Sequence, residues 1–411
     1  MKTRLSLFLL SISFLVVAIV LMASSPGARA QETKPQLTIY GFAQLDMGYD
    51  MKQNDPSWFD VMRPTKLPSY ENQFGADGRW YSGVRQSRLG VKGSFPTALG
   101  ELKTQFEFEM FGVGVDAGQT TIRLRHAYGE IGQFGAGQTW SPFMDIDVFP
   151  NSLEYWGPSG MVFFRNVQVR WMPIQGDTRM TIALERPGAS ADAGPYADRI
   201  ELQGVTGRFP LPDLSAEYRM GQPWGYIEMA GILRYMVWDD MNGDQFDLSG
   251  HAVGWGVNLS SNIKISKDVL RLQAVYGEGI ENYMNEGPAD IGIQKDSLNK
   301  VTPAKGKALP VLGIVAFLDH AWNDKWSSAV GYSLVKITPS DGQAANAFKL
   351  GQYALANLTY SPVPGFMTGI EFQYGARENN KLEPGKTEIW KVNDFRIQFG
   401  AKFNFSSTIG G

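Results

Sequence analysis

The sequence predicts an all-β fold, a transmembrane antiparallel β-barrel of about 16 strands, and three patterns lead to this prediction. Many segments alternate apolar and polar residues with a period of two, which places the two kinds of side chain on opposite faces of a strand. Short turns alternate with long polar connections along the chain. Aromatic residues recur near the predicted strand ends, where the interfacial girdles of membrane barrels lie.

The last predicted strand, 391–405, shows the alternation most clearly. Its apolar row is Phe395, Ile397, Phe399, Ala401, Phe403 and Phe405, and its polar row is Asp394, Arg396, Gln398, Lys402 and Asn404. A polar row where a soluble protein would have its core predicts a water-filled interior, so the aromatic row is expected to face lipid. The chain continues past the last aromatic residue as 406–411, and the role of this tail stays open.

The other strands are predicted from the same period and from the Gly, Pro, Asn and Asp of the turns between them. The candidates are 37–47, 83–95, 101–111, 120–131, 135–142, 161–172, 178–186, 213–221, 226–237, 251–263, 268–279, 310–320, 325–336, 350–361, 366–377 and 391–405. The long connections between them would lie on the extracellular side, which leaves both ends of the mature chain in the periplasm. Whether 199–208 is a further strand stays open.

The first 30 residues have the pattern of a secretory signal peptide. Lys2 and Arg4 precede the apolar run 5–22, and Ala28-Arg29-Ala30 is a small-x-small cleavage pattern before Gln31. An uncleaved helical anchor is the alternative, because the run is nearly long enough to span a bilayer. The prediction is a signal peptide at 1–30, one barrel domain at 31–411, and a location in the bacterial outer membrane.

Composition and charge narrow the class. The chain is 43% hydrophobic, yet beyond Met22 no segment has the uninterrupted apolar length of a membrane-spanning helix. Without Lys2, Arg4 and Arg29, the mature chain has 35 basic and 41 acidic side chains, a formal charge of −6. This charge argues against a nucleic-acid partner. No cofactor or metal site is predicted.

A soluble β-sandwich, barrel or propeller would also show alternation, with the apolar row buried. The length of the strands, the aromatic residues near their ends and the alternation of short and long connections favour the membrane barrel.

Several motifs resemble those of general trimeric porins. They are Ser87-Arg88-Leu89-Gly90-Val91-Lys92-Gly93, the alternating 106–109, Tyr40-Gly41-Phe42, and Gly137-Gln138-Thr139-Trp140-Ser141-Pro142-Phe143. The chain resembles the DcaP-type dicarboxylate porins more closely, through Arg123-Leu124-Arg125-His126-Ala127-Tyr128, Leu270-Arg271-Leu272-Gln273 and the order of its long loops. This resemblance implies a homotrimer, a third loop at about 143–160 folded into the lumen, and small anionic solutes, including dicarboxylates. Lipopolysaccharide and outer-membrane lipid would surround it.

The strand period also predicts which charges face the lumen. If the leucines and valines of strands two, four and six face lipid, the side chains between them point inward. The pore-lining basic wall would then consist of Arg88, Lys92, Arg123, Arg125 and Arg170. Arginine suits the lining of a channel for anions, because its planar guanidinium group binds carboxylates through two hydrogen bonds and stays positively charged at physiological pH. The alternative is that these arginines pair with Glu107 and Glu109 and only fill the barrel.

Other charged and polar residues take secondary places. The second-tier candidates for the lumen are Arg234, Arg271 and Gln138. The period of strand two places Arg85 on the other face, at the outer rim of the barrel.

The third loop carries Asp145, Asp147 and Glu154. If this loop enters the barrel, its carboxylates would face the basic wall and create a transverse field. The alternative is an ordinary extracellular loop whose acids bind the cations that bridge lipopolysaccharide.

The predicted function is passive diffusion of small hydrophilic solutes, with a preference for anions such as dicarboxylates. A non-selective general porin is the main alternative. An outer-membrane enzyme is disfavoured, because the only histidines are His126, His251 and His320, and none has a suggestive partner in sequence. By phase, His126 is expected to face outward.

Overall fold

The structure is a computed structural model that describes residues 34–296 and 298–410. The predicted signal peptide therefore lies outside the described residues.

Sixteen strands form the wall of the barrel. They are β1 (Gln36–Asp50), β2 (Arg79–Gly83 and Arg88–Thr97), β3 (Gly100–Phe111), β4 (Thr120–Ile131), β5 (Phe134–Trp140), β6 (Arg165–Ile174), β7 (Arg179–Glu185), β8 (Asp213–Gln222), β9 (Gly225–Asp240), β10 (Gly250–Ile265), β11 (Asp268–Glu278), β12 (Pro310–Ala321), β13 (Trp326–Ile337), β14 (Phe348–Val363), β15 (Phe366–Asn379) and β16 (Lys391–Ile409). Within the residues given above, no helix is both long and apolar enough to cross a membrane.

The barrel closes between its first and last strands. β1 pairs with β16 from Leu37 opposite Ile409 to Asp50 opposite Arg396, and with both segments of β2 on its other side. All pairings between neighbouring wall strands are antiparallel, so the predicted barrel of 16 antiparallel strands is confirmed. The first residues of the tail extend β16, because Ser406 pairs with Tyr40 and Thr408 with Thr38.

The two faces of the wall have opposite polarity. On β16, Asp394, Arg396 and Gln398 are buried, whereas Phe395 and Phe399 are exposed. A soluble barrel would bury the apolar row instead. A wall that exposes its apolar row and buries its polar row is suited to separate lipid from a polar interior.

The break in β2 changes the position of Arg85. This residue lies between the two segments of the strand and is buried. Its guanidinium lies 2.5 Å from Asp60 Oδ1 and donates to the carbonyls of Gly112 and Gln119. The predicted place at the outer rim is wrong, because a period of two assigns faces only within a continuous strand.

A bulge in β4 changes the position of His126. Glu107 of β3 pairs with His126, but the next residue, Phe108, pairs with Leu124, which leaves Arg125 as the extra residue. Arg125 and His126 are therefore both buried, and His126 Nδ1 lies 3.0 Å from Thr139 Oγ1. The outward prediction for His126 is wrong, because a bulge reverses the phase of the residues that follow it.

The segment 199–208 forms a helical turn, Ile200–Gln203, and a short strand, Val205–Arg208, that pairs with the end of β9. A separate three-stranded sheet is formed by Ala191–Asp192, Ile291–Lys295 and Ala304–Ala308. The long connections are therefore structured in part.

The largest apolar cluster joins the wall to these connections. Phe143, Met161 and Val162 belong to the connection between β5 and β6, and they pack in one cluster with Val315 and Phe317 of β12. The inner row of β12 is therefore apolar from Val311 to Phe317 and ends in Asp319.

Candidate functional site

Four arginines surround one carboxylate on the inner face of the wall between β2 and β6. Glu109 of β3 is fully buried, and its carboxylate oxygens lie 2.6 Å from Arg125 Nη1, 3.2 Å from Arg88 Nη2, 3.7 Å from Arg123 Nη1 and 4.0 Å from Arg165 Nη2. We call these four residues the arginine cluster.

The strand register produces this arrangement. Arg88 of β2 and Arg123 of β4 lie directly opposite Glu109, on its two sides across β3. Side chains in directly opposite positions have Cβ atoms about 4.5–5.5 Å apart, close enough for long side chains to meet. The bulge adds Arg125, whose Nε lies 2.6 Å from Glu107 Oε1. One additional residue in β4 therefore brings both carboxylates within reach of a single guanidinium.

Three of the arginines predicted for the lumen, Arg88, Arg123 and Arg125, are thus paired with Glu107 or Glu109, as the alternative interpretation expected. The pairing is incomplete, because four guanidinium groups face only two carboxylates. An excess of two positive charges remains. The exposed fraction is 23% for the side chain of Arg88 and 30% for that of Arg123, so these two arginines are the members of the cluster most accessible to solvent.

The other two members of the predicted basic wall lie outside the cluster. Lys92 is exposed, with its Nζ 5.0 Å from the centre of the Tyr40 ring. Arg170 donates to the side chain of Gln168 at 2.8 Å and lies over the ring of Tyr128. Neither has a carboxylate oxygen within 4.0 Å among the residues of the described ranges. Neither cation is therefore held in a close ion pair.

The third-loop aspartates bind a different arginine. Asp145 is buried and accepts from Arg219 Nη2, the Tyr226 hydroxyl and Ser260 Oγ, each at 2.7 Å. Asp147, 47% exposed, lies 2.5 Å from Arg219 Nη1. The expectation that these carboxylates face the basic wall is wrong, because Arg219 of β8 takes both of them.

Glu154 is held by backbone groups. Its carboxyl accepts from the amides of Met62, at 3.0 Å, and Gly157. Burial, with a smaller contribution from the nearby carboxylate of Glu371, raises the pKa of Glu154 to about 8. With its pKa above neutrality, this carboxyl would contribute little negative charge to the predicted transverse field at pH 7.

The neighbouring Tyr155 connects the third loop to the arginine cluster. Its hydroxyl donates to Glu109 and lies 3.2 Å from Arg125 Nη1. Its ring stacks on Phe111 with centroids 3.9 Å apart and planes 9° apart. Burial raises the pKa of the Tyr155 hydroxyl, so it stays protonated and able to donate.

The second-tier candidates differ from one another. Arg234 is fully buried, 2.7 Å from Asp290 and 3.1 Å from Asp213, and is a structural ion-pair partner. Arg271 pairs with Asp319 at 2.6 Å and donates to the Asp147 carbonyl. Both therefore have carboxylate partners, and their lumenal position stays a prediction.

The lumenal position predicted for Gln138 is wrong. Its partner in the sheet is Val167, a residue of the exposed apolar row, and its side-chain amide donates to the carbonyls of Leu124 and Arg125.

Among the cations of the described residues, Arg165 and Arg219 were not singled out from the sequence, and Lys402 was placed in the polar row of the last strand but not among the site candidates. Arg165, the first residue of β6, has the phase of the outer row, so periodicity could not reveal it. Arg219 lay in a predicted strand, but nothing local linked it to the third loop. Lys402 had the correct phase, and its Nζ lies 3.9 Å from the centre of the Phe42 ring. Across the described ranges, no group of three acidic or histidine side chains is placed to hold a metal ion.

A closed wall of sixteen antiparallel strands, apolar outside and lined with charge, defines an outer-membrane β-barrel channel of the porin class. The chain belongs to the DcaP outer membrane protein family, whose model matches residues 25–396. The predicted family is confirmed.

Solved structures support this assignment of the fold. The outer membrane channel DcaP of Acinetobacter baumannii superposes with a TM-score of 0.72 at 20% identity, over 93% of this chain and 100% of that one. An anion-selective porin from Comamonas acidovorans gives 0.56 at 10% identity, over 90% and 100%. OmpT, an outer membrane protein of Vibrio cholerae, gives 0.55 at 11% identity, over 93% and 100%. No curated protein matches the chain.

Proposed function

We propose that this porin is a passive channel for small anionic solutes, dicarboxylates among them, and that it has no catalytic activity. The observation that carries the proposal is the unequal pairing in the arginine cluster, where four guanidinium groups meet two carboxylates. Lys92, Arg170 and Lys402 add positive charge on the same side of the interior. The charges that line a narrow channel dominate its selectivity, because charges farther than about 8 Å away are screened at physiological salt.

We further propose that the third loop, about 143–160, crosses the lumen and narrows it. Its hydrogen bonds support this path. Asp145 bonds to β8, β9 and β10, and the Leu153 amide donates to Glu371 of β15 at 2.7 Å. The same loop reaches the arginine cluster through Tyr155. Solutes would then pass between the loop and the wall formed by β1 to β6.

The surroundings of the channel are part of the proposal. The signal peptide at 1–30 would be cleaved, the barrels would assemble as homotrimers in the outer membrane, and lipopolysaccharide would surround the exposed apolar row. Residues of that row, such as Phe395 and Phe399, are suited to contact lipid or a second barrel.

A bilayer recording in a salt gradient tests the selectivity. The expected reversal potential of the wild-type channel has the sign of anion preference. Arg88→Gln combined with Arg123→Gln removes the two accessible members of the cluster and should shift the potential toward cations. Arg208→Gln is the matched control, because Arg208 forms an exposed ion pair with Asp239 in an extracellular connection. A wild-type channel without ion preference would indicate a general porin and refute the proposal.

A further inference from the structure

We propose that Glu109 is a tethered competitor that occupies the strongest anion site of the channel and thereby keeps the affinity for permeating carboxylates low. This inference rests on the proposed anion preference and assigns to one carboxylate the role of setting the strength of solute binding.

The contacts of Glu109 are those of a bound anion. A single carboxylate has nitrogen atoms of four arginines within 4.0 Å, and the Tyr155 hydroxyl also donates to it. Guanidinium groups bind carboxylates through short, charge-assisted hydrogen bonds, which are about twice as strong as neutral ones. A free solute carboxylate at this point would receive the same donors, but Glu109 is covalently attached to β3 and already occupies the position.

The neighbouring Glu107 does not have this property. It contacts two members of the cluster, Arg125 at 2.6 Å and Arg88 at 3.7 Å, and its other oxygen accepts from the Tyr40 hydroxyl at 2.7 Å. Both carboxylates accept from a tyrosine hydroxyl, but Glu107 contacts only two of the four arginines, whereas Glu109 is at the point where all four converge.

Two buried donors show that the cluster can take more acceptors than it has. Arg88 Nε and Arg165 Nη1 are buried and have no hydrogen-bond partner among the described residues. The Arg165 side chain is 6% exposed, so this unpartnered nitrogen belongs to a buried guanidinium. Buried donors normally find an acceptor, and an anion that entered the cluster would supply one.

Solutes can reach the site from the side of Arg88 and Arg123, whose side chains are partly exposed. If Glu109 lost its charge, the four arginines would be left with a single fixed carboxylate, that of Glu107. A site with an excess of three positive charges should then retain an incoming carboxylate. The competitor therefore favours rapid passage over tight binding.

The test measures how succinate reduces the small-ion current through the full-length channel in a bilayer. Glu109→Gln removes the competitor while keeping the shape of the side chain. In this variant, succinate should block half of the current at a concentration about tenfold or more below the wild-type value. The reason is that the guanidinium groups that bind Glu109 in the wild type would instead form their charge-assisted hydrogen bonds with the solute carboxylate. Glu107→Gln is the matched control, because it makes the same change of charge two residues away on the same strand. Its half-blocking concentration should change much less.

Glu109→Asp covers the case in which the amide variant fails to assemble. It keeps the net charge but withdraws the carboxylate by one methylene group, so a decrease of several-fold in the half-blocking concentration is expected. The proposed role of Glu109 as a competitor would be overturned by an unchanged half-blocking concentration in Glu109→Asp. Equal changes in Glu109→Gln and Glu107→Gln would overturn it as well. A wild-type channel that does not prefer anions would instead overturn the proposed function, so the two failures can be distinguished.

Discussion

Replacing Arg219 with glutamine should release the third loop from the barrel wall while leaving the wall intact. Arg219 of β8 contacts Asp145 at 2.7 Å and Asp147 at 2.5 Å in the loop, and Glu228 at 2.6 Å in the neighbouring strand. The substitution would leave Asp145 buried without a cation, with the hydroxyls of Tyr226 and Ser260 and the Asp147 amide as its remaining donors. The loop would then keep a single cationic contact at this point, the one that Arg271 makes with the Asp147 carbonyl.

The magnitude follows from burial. Removing one partner of a buried ion pair costs about 3–5 kcal/mol, because the other charge is left uncompensated. The contact with Asp147 adds little, since exposed pairs contribute about 0–1 kcal/mol. A cost of about 3 kcal/mol changes the equilibrium between attached and detached loop by roughly a hundredfold, at 1.4 kcal/mol for each factor of ten.

Single-channel recording and limited proteolysis are the assays. A detached loop should increase the conductance and the current noise of the Arg219→Gln channel and expose the chain near Asp147 to cleavage. Arg208→Gln, which removes an exposed pair with Asp239, should leave both readouts unchanged. If Arg219→Gln conducted like the wild type and resisted protease equally, the loop would not be held by this pair and the reasoning would be refuted.

Two further predictions concern pH and assembly. Because the folded protein raises the pKa of Glu154 from its ordinary 4.5 to about 8, stability from this carboxyl should be complete below about pH 4.5 and lost as pH rises to about 8. Thermal unfolding measured against pH should show this decline, and Glu154→Gln should flatten it, whereas Glu388→Gln at an exposed site should keep it. For assembly, unheated protein in SDS should migrate well above the 45.5 kDa of the full chain and collapse to a single-chain band on boiling. A compact monomer that retains channel activity would contradict the proposed trimer.

The barrel could be predicted from sequence because its strands obey a single rule. The two-residue period is a property of the extended backbone, so it identified all sixteen wall strands. The rule failed where the backbone departs from regular pairing. Arg85 lies in the break of β2, and His126 follows the bulge of β4. Neither irregularity has a residue signature in this chain that would reveal it beforehand.

The partners of the charged residues were less predictable for a different reason. Phase put Arg88, Arg123 and Arg125 on the face opposite the exposed apolar row of Leu89, Ile122 and Leu124, but the partner of a charge depends on which distant segment lies against it. Arg219 and Asp145 are 74 residues apart. Whether a loop folds back onto a given strand is decided by tertiary packing, and a periodic pattern contains no information about it.

Under the proposed function, the corrected pairing gives the predicted field across the channel a different origin. The sequence suggested that loop acids oppose the basic wall directly. In the structure, the third loop brings Asp145 and Asp147 to Glu217 and Glu228, and Arg179 and Arg219 are the cations that pair with these four acids. Two cations against four acids leave a formal excess of two negative charges, while the arginine cluster, farther round the barrel, has an excess of two positive charges. A dipolar solute would therefore be oriented by two incompletely compensated groups, and an anion would be drawn toward the arginine cluster because that is where the positive excess lies.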